Sequence, residues 1–188
     1  MIEGNRIRLW SIEKFDVGRN YNWGNDPEMI RLTGMSPYPK STVDLDQWFQ
    51  SLCGNPNLKM FAMKTFEGEY IGNIEIADID WRCGRGEIGL IIGEAHHRGQ
   101  GYGSEAVRLL SAFAFDEMRM HRLEARVLAH NARAQATFER CGYTREGVAR
   151  EAFYSEGRWV DVVTFSLLAS DPRAPLSIAA DKHEEARP

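Results

Sequence analysis

Near the middle of the chain an almost unbroken apolar run, Ile88-Gly89-Leu90-Ile91-Ile92, gives way to Arg98-Gly99-Gln100-Gly101-Tyr102-Gly103-Ser104. Then come Ala106, Leu109, Leu110, Phe113 and Ala114 at helical spacing. The first segment suits a strand covered on both faces, and the last forms one stripe of a long helix. A strand of that kind needs a layer above it and a layer below it, so this unit already demands an α/β layered fold. The glycines between strand and helix let backbone approach a ligand closely. At a helix N-terminus successive N–H groups converge with the helix dipole behind them, which suits a pyrophosphate. The spacing is neither the Gly-x-Gly-x-x-Gly of dinucleotide folds nor a loop ending in Gly-Lys-Ser/Thr. A plain glycine turn is the competing reading.

The remaining elements emerge from changes of period. Ile7–Trp10 alternates as a strand, and residues 14–25 read as a helix closed by the breaker run Asn25-Asp26-Pro27. Ser41, three residues before Asp44, opens a second helix over about 43–53. Residues 60–65 and 70–80 alternate around Glu67-Gly68 as a hairpin, leading to a strand that starts at Glu87. After the long helix come a strand at 122–128, a short helix at 132–140 ended by Gly142, and two strands at about 144–153 and 158–168. The expected order is β-α-α-β-β-β-α-β-α-β-β on a mixed sheet, a single domain over residues 1–169. Residues 170–188, rich in Ala, Pro and charge, are expected to be a disordered tail.

Composition excludes several function classes. The net charge of -4 argues against nucleic acid, which needs a basic face. No apolar run approaches the ~18 residues of a membrane span, and the first residues lack a signal-peptide core, so a cytoplasmic protein is expected. Cys53, Cys83 and Cys141 are too scattered for a disulfide framework or a zinc site, and no metal is expected.

Arg98-x-x-Gly101-x-Gly103 resembles the (Gln/Arg)-x-x-Gly-x-(Gly/Ala) acyl-CoA pyrophosphate loop of the GNAT acyltransferase superfamily. The run from Glu87 to Ala106 is similar to that of its RimJ/RimL and spermidine acetyltransferase-like branch. Asn131 to Tyr143 resembles the superfamily's Asn-x-x-(Ser/Ala)-x-x-x-x-x-(Lys/Arg)-x-Gly-(Phe/Tyr) segment, and Glu146 to Val163 its closing hairpin. The resemblance spans about residues 7–168. It implies the GNAT fold with a V-shaped split between the strand ending at Ile92 and the strand at 122–128.

Acetyl-CoA as acyl donor would lie in that split. Its pantetheine would meet the backbone of Leu90, Ile91 and Ile92, and its pyrophosphate would meet Arg98, Gly99, Gln100, Gly101, Tyr102, Gly103 and Ser104. Asn131, Phe138 and Arg140 would flank it. Asn131 reads equally as a helix N-cap, and Arg133 and Arg140 as a solvated helix face. The tyrosine with which many members protonate the leaving thiolate falls on Phe138, which has no proton to give.

The resemblance implies an N-acetyltransferase acting by direct attack of a primary amine, either a small molecule such as a polyamine or amino sugar, or a protein N-terminus. Another donor such as succinyl-CoA, or a non-catalytic CoA-binding module, are the alternatives. Oligomeric state is unreadable, and a homodimer stays open. Glu87 is the expected general base, against the alternative of a salt-bridged strand glutamate. His96 and His97, being adjacent, read as solvated loop residues rather than a metal pair, and His121 and His130 as structural. Glu75, Asp78, Asp80, Asp44 and Asp46 are candidates for an acidic substrate mouth. Trp23, Tyr38, Trp48 and Trp81 are candidates for pocket walls or for core.

Overall fold

The structure, a computed structural model, describes residues 1–173. Among these, eight strands form one sheet in the order β1-β2-β3-β4-β5-β6-β8-β7. In chain order they are β1 (Ile2–Glu3), β2 (Ile7–Trp10), β3 (Lys59–Thr65), β4 (Tyr70–Asp80), β5 (Arg85–Ile92), β6 (Arg122–Leu128), β7 (Thr144–Ser155) and β8 (Arg158–Leu168). The helices are α1 (Val17–Gly24), α2 (Pro27–Thr33), α3 (Thr42–Leu52), α4 (Tyr102–Asp116) and α5 (Ala132–Arg140), with short 3-10 turns at Lys14–Asp16 and Ala95–His97.

Two elements escape the sequence reading. The two-residue strand β1 is too short to show a period. Helix α2 begins at the run Asn25-Asp26-Pro27, which by sequence alone reads only as a stop. Asp26 is its N-cap, the carboxylate accepting from the Glu28 N–H, and Pro27 sits in the first turn, where a missing N–H costs nothing. Helix α3 has the expected capping box, with Ser41 and Asp44 each accepting from the other's backbone N–H.

Strand alternation divides the sheet into two faces. Ile7, Leu9, Ile74, Ile76 and Ile88 are buried on one face against Ala106, Val107, Leu109, Leu110 and Ala114 of α4. On the other face Ala62 pairs with Asn73, and Asn73 with Ile91, and there Trp23 of α1 packs on Tyr70 and Ala62. Among the described residues all but one of the neighbouring strand pairs are antiparallel. The exception, β5 with β6, is parallel and holds register only from Arg85↔Arg122 to Glu87↔Glu124. Beyond Glu87 the two strands part, and β6 continues its pairing with β8 as far as Leu128. The V-shaped split is this divergence, and it leaves the backbone of Leu90, Ile91 and Ile92 without a strand partner on that side.

The chain runs past the last strand far enough for the Asp171 carboxylate to accept from the Leu168 N–H and for Arg173 to pair with Asp116. The expectation of a disordered tail lies, for residues 174–188, outside the described residues.

Candidate active site

The loop at the head of α4 is built by two glycines in the left-handed region, Gly99 at φ 80° and Gly101 at φ 84°. Such values suit glycine and cost other residues about 1–2 kcal/mol. Gly101 is the N-cap of α4 and brings no side chain to its amides. The first intrahelical bond is Glu105 N–H to Gly101 C=O, so the earlier N–H groups of the turn have no partner within the helix. Glu105 fixes this end of α4 from below. Only 1% exposed, its carboxylate accepts from the Asn5 and Arg6 N–H groups at 2.6 and 2.8 Å and from Arg6 Nε at 3.1 Å. Arg6 in turn donates to the Gln100 carbonyl at 2.8 Å. The loop and the first turn of α4 are thereby anchored to the segment between β1 and β2.

A cleft of about 760 Å³ opens along the split, lined on one side by Leu90, Ile91, Ile92, Arg98, Gly99, Gly101, Gly103 and Ser104. The facing wall carries Asn131, Arg133, Ala134, Thr137 and Arg140, and Met29, Leu32 and Thr33 of α2 close the end. An unpartnered strand edge, uncapped helix amides and two arginines fit an extended, amide-bearing ligand ending in phosphates. Those are the features of a CoA thioester.

Of the residues expected to hold that ligand, ten line the cleft: Leu90, Ile91, Ile92, Arg98, Gly99, Gly101, Gly103, Ser104, Asn131 and Arg140. Three point elsewhere. Gln100 turns its amide back onto the His96 carbonyl. Tyr102 packs its ring against His97 and under the Arg6 guanidinium. Phe138, 3% exposed, is core, stacked on Phe165 and edge-on to Tyr143. Helical spacing places Phe138 on the face of α5 that meets the sheet, one position beyond the cleft-lining Thr137.

Two of the ten are tied up within the protein, Arg98 in a role the sequence did not suggest and Asn131 in the N-cap role that it did. The Arg98 guanidinium donates to the Ile92 and Gly93 carbonyls at 3.0 and 2.8 Å and pairs with Glu28 at 2.8 Å, so it braces the loop to β5 and α2. Asn131 is the α5 N-cap, its Oδ1 accepting from the Ala134 N–H and its Nδ2 donating to the Leu32 carbonyl. That second bond ties α5 to α2, an element absent from the sequence reading, which is why sequence spacing does not single out Met29, Leu32 and Thr33.

A second cavity of about 970 Å³ lies under α1 and α3 on the opposite sheet face. Trp23, Met35, Leu45, Trp48 and Met60 supply apolar walls, and Asn20, Asn73 and Glu75 supply polar ones. Lys40 stands at its edge with Nζ already donating to the Gly24 and Ser36 carbonyls. The two cavities share Thr33, Leu90 and Ile91, so they meet over the middle of β5.

Register separates the two candidate carboxylates. Glu75 is paired with Gly89, and its Oε1 occupies the space a Cβ at Gly89 would need. Burial pushes the Glu75 carboxyl above the ordinary carboxylate range, with Glu87 and Asp78 adding repulsion. Glu87 is paired with Ala77, one step farther from the junction, and lines neither cavity. Burial raises its carboxyl too, while Arg126 opposes the shift. Trp23 and Trp48 prove to be pocket walls, whereas Tyr38 and Trp81 are exposed and outside both cavities. The Trp81 indole instead donates to the Pro56 carbonyl.

Comparison with known proteins adds the family. The acetyltransferase (GNAT) domain family matches residues 6–144. An uncharacterized N-acetyltransferase, p20, of Bacillus licheniformis is 31% identical over 86% of this chain and 91% of its own length. The chain belongs to the GNAT acetyltransferase family. Within this GNAT family it is also similar to the spermidine N(1)-acetyltransferase of Vibrio cholerae, at 23% identity over 88% of this chain and 94% of that one. The crystal structure of spermidine N-acetyltransferase from Vibrio cholerae in complex with CoA and spermine superposes with a TM-score of 0.82, covering 88% of this chain and 96% of that one at 23% identity. The GNAT fold read from the motifs is therefore the fold observed, and the chain is an N-acetyltransferase. No helix among the described residues is long and apolar enough to cross a membrane.

Proposed function

We propose that this GNAT enzyme moves acetyl from acetyl-CoA to a primary amine carried on an apolar body, by direct attack in a ternary complex. The observation that carries the reading is the junction of the two cavities over Leu90 and Ile91, where a donor in one reaches an acceptor in the other. When bound, acetyl-CoA supplies an acyl thioester. The α4 amides with Arg133 and Arg140 hold its phosphates, and the open edge of β5 pairs with its amides as an added strand would. N–H groups of the same edge stabilise negative charge developing on the acyl oxygen.

The acceptor enters from the second cavity. An alkylammonium has a pKa near ~10.4 and must lose a proton before it attacks. Glu75 is placed to take that proton, directly or through a water, and its raised pKa suits a base. Glu87, on the same face one pair further along, keeps Glu75 company as a second negative charge rather than acting itself. A leaving thiolate with a pKa near ~8.5 takes a proton from water, so the lack of a hydroxyl at Phe138 does not block turnover. Among the described residues Glu75 is the one carboxylate on the wall of the acceptor cavity, and Lys40 adds positive charge there. This balance favours a single ammonium beside aromatic and aliphatic groups over a polycation.

The test is steady-state release of CoA thiol from acetyl-CoA, and from succinyl-CoA in parallel, across aromatic and aliphatic monoamines, apolar N-terminal peptides, amino sugars, aminoglycosides and spermidine. Acetyl transfer with highest kcat/KM for amines on apolar bodies is expected. Binding of acetyl-CoA with no amine-dependent turnover would make the chain a CoA-binding module.

A further inference from the structure

His96 and His97 lie in the 3-10 turn just before the glycine loop, their ring centroids 4.0 Å apart. The chain fold brings Glu69, at the end of the β3–β4 turn, against them. One donor atom from each of Glu69, His96 and His97 lies within 4.8 Å of the other two. The tightest contact is His97 Nε2 to Glu69 Oε2 at 3.1 Å. The pair is at ion-pair distance without an aligned N–H, and Nε2, in a residue only 9% exposed, has no other hydrogen-bond partner among the described residues.

An imidazole nitrogen and a carboxylate oxygen that close without a hydrogen aligned between them have the spacing of two ligands on one ion. Zinc bonds of about 2.0–2.2 Å at a tetrahedral angle put ligand atoms roughly 3.3–3.5 Å apart. Arg19 approaches the other carboxylate oxygen, Oε1, at 3.5 Å, which leaves Oε2 available. His96 is exposed, with its ring against that of His97 and a ring nitrogen within 4.8 Å of the other two donor atoms.

We propose that Glu69, His96 and His97 form a binding site for a divalent ion of the zinc class, with three protein ligands and a coordination position open to solvent. Two imidazoles and one carboxylate suit zinc better than the oxygen-only sets preferred by magnesium or calcium. The adjacency that makes His96-His97 a poor pair in sequence is overcome by the third ligand arriving from a different element. Because His97 also lines the cleft, an ion here would pin the β3–β4 turn to the segment leading into the phosphate-binding loop. Ion binding at these three side chains is independent of the acceptor and of turnover.

The test is calorimetric titration of the tag-free protein with Zn²⁺ alone, repeated on His96→Ala and Glu69→Gln. One equivalent bound in the wild type is expected, with affinity at least tenfold weaker in each variant. Substitution with Co²⁺ gives a second readout, since a low-symmetry His₂-carboxylate site produces visible absorption that His96→Ala should abolish. Absence of binding to the wild type overturns the proposal. So does binding of equal strength in both variants, which would assign the ion to other histidines.

Discussion

Arg98→Ala separates a brace from a phosphate ligand. In the structure the guanidinium donates to two backbone carbonyls, Ile92 at 3.0 Å and Gly93 at 2.8 Å, from a side chain that is 8% exposed. Hydrogen bonds to charged groups contribute about 1.5–3 kcal/mol each, and they are not additive when they share a donor group. The Glu28 carboxylate on the third side is half exposed, so that pair contributes roughly 0–1 kcal/mol. Loss of the side chain should therefore cost about 3 kcal/mol. For a domain of this length that lowers Tm by roughly 6–12 °C. Lysine cannot reproduce the planar fork, so Arg98→Lys should recover only part of the loss. Thermal melts followed by near-UV circular dichroism measure the first quantity, and calorimetric titration with acetyl-CoA below the transition measures the second. The brace predicts a large drop in Tm with acetyl-CoA affinity weakened less than about tenfold. An unchanged Tm with affinity lost a hundredfold would show that the guanidinium leaves its carbonyls for phosphate, and would refute the assignment of Arg98 as a brace.

Glu75→Gln should lower kcat by about 10²- to 10⁴-fold with acetyl-CoA affinity unchanged, while Glu87→Gln should have a much smaller effect, as read from initial rates and titration calorimetry. Wild-type turnover should fall on acidification through a pKa above the usual 4.5 of Glu75, and this limb should vanish in Glu75→Gln. The same shift penalises the folded state once the carboxyl ionises, fully above its folded pKa and not at all well below 4.5. Glu75→Gln should therefore have the higher Tm at pH 8, with the advantage gone near pH 3. Gly101→Val puts a β-branched residue at φ 84° and should abolish acetyl-CoA binding in a protein that still melts cooperatively; undiminished affinity would remove the glycine loop from the donor site. Phe138→Leu should lower Tm through lost packing against Tyr143 and Phe165 yet leave turnover per folded enzyme nearly unchanged; a turnover loss without a Tm change would place that ring in the chemistry.

Sequence by itself determined the layered fold and the glycine loop, because each rests on local order, whereas the split between β5 and β6 was implied only by the family resemblance. The apolar run at Ile88–Ile92, the stripe on α4 and the capping box at Ser41 depend on residues only a few positions apart, and so does the loop that begins at Arg98. Tertiary structure decided the rest. Asp26-Pro27 can start a helix or stop one, and only the docking of α2 on β6 and α5 makes it a start. Phe138 and Thr137 are neighbours in sequence, but the packing of α5 sends one into the core and the other to the cleft. Glu75 and Glu87 are alike in sequence, both strand glutamates, and the β4–β5 register alone sets Glu75 on Gly89 at the junction of the cavities while holding Glu87 outside it. Glu69 reaches His96 and His97 across more than twenty-five positions of chain. No local period encodes that approach, because it is produced by the sheet bringing the β3–β4 turn beside the end of β5.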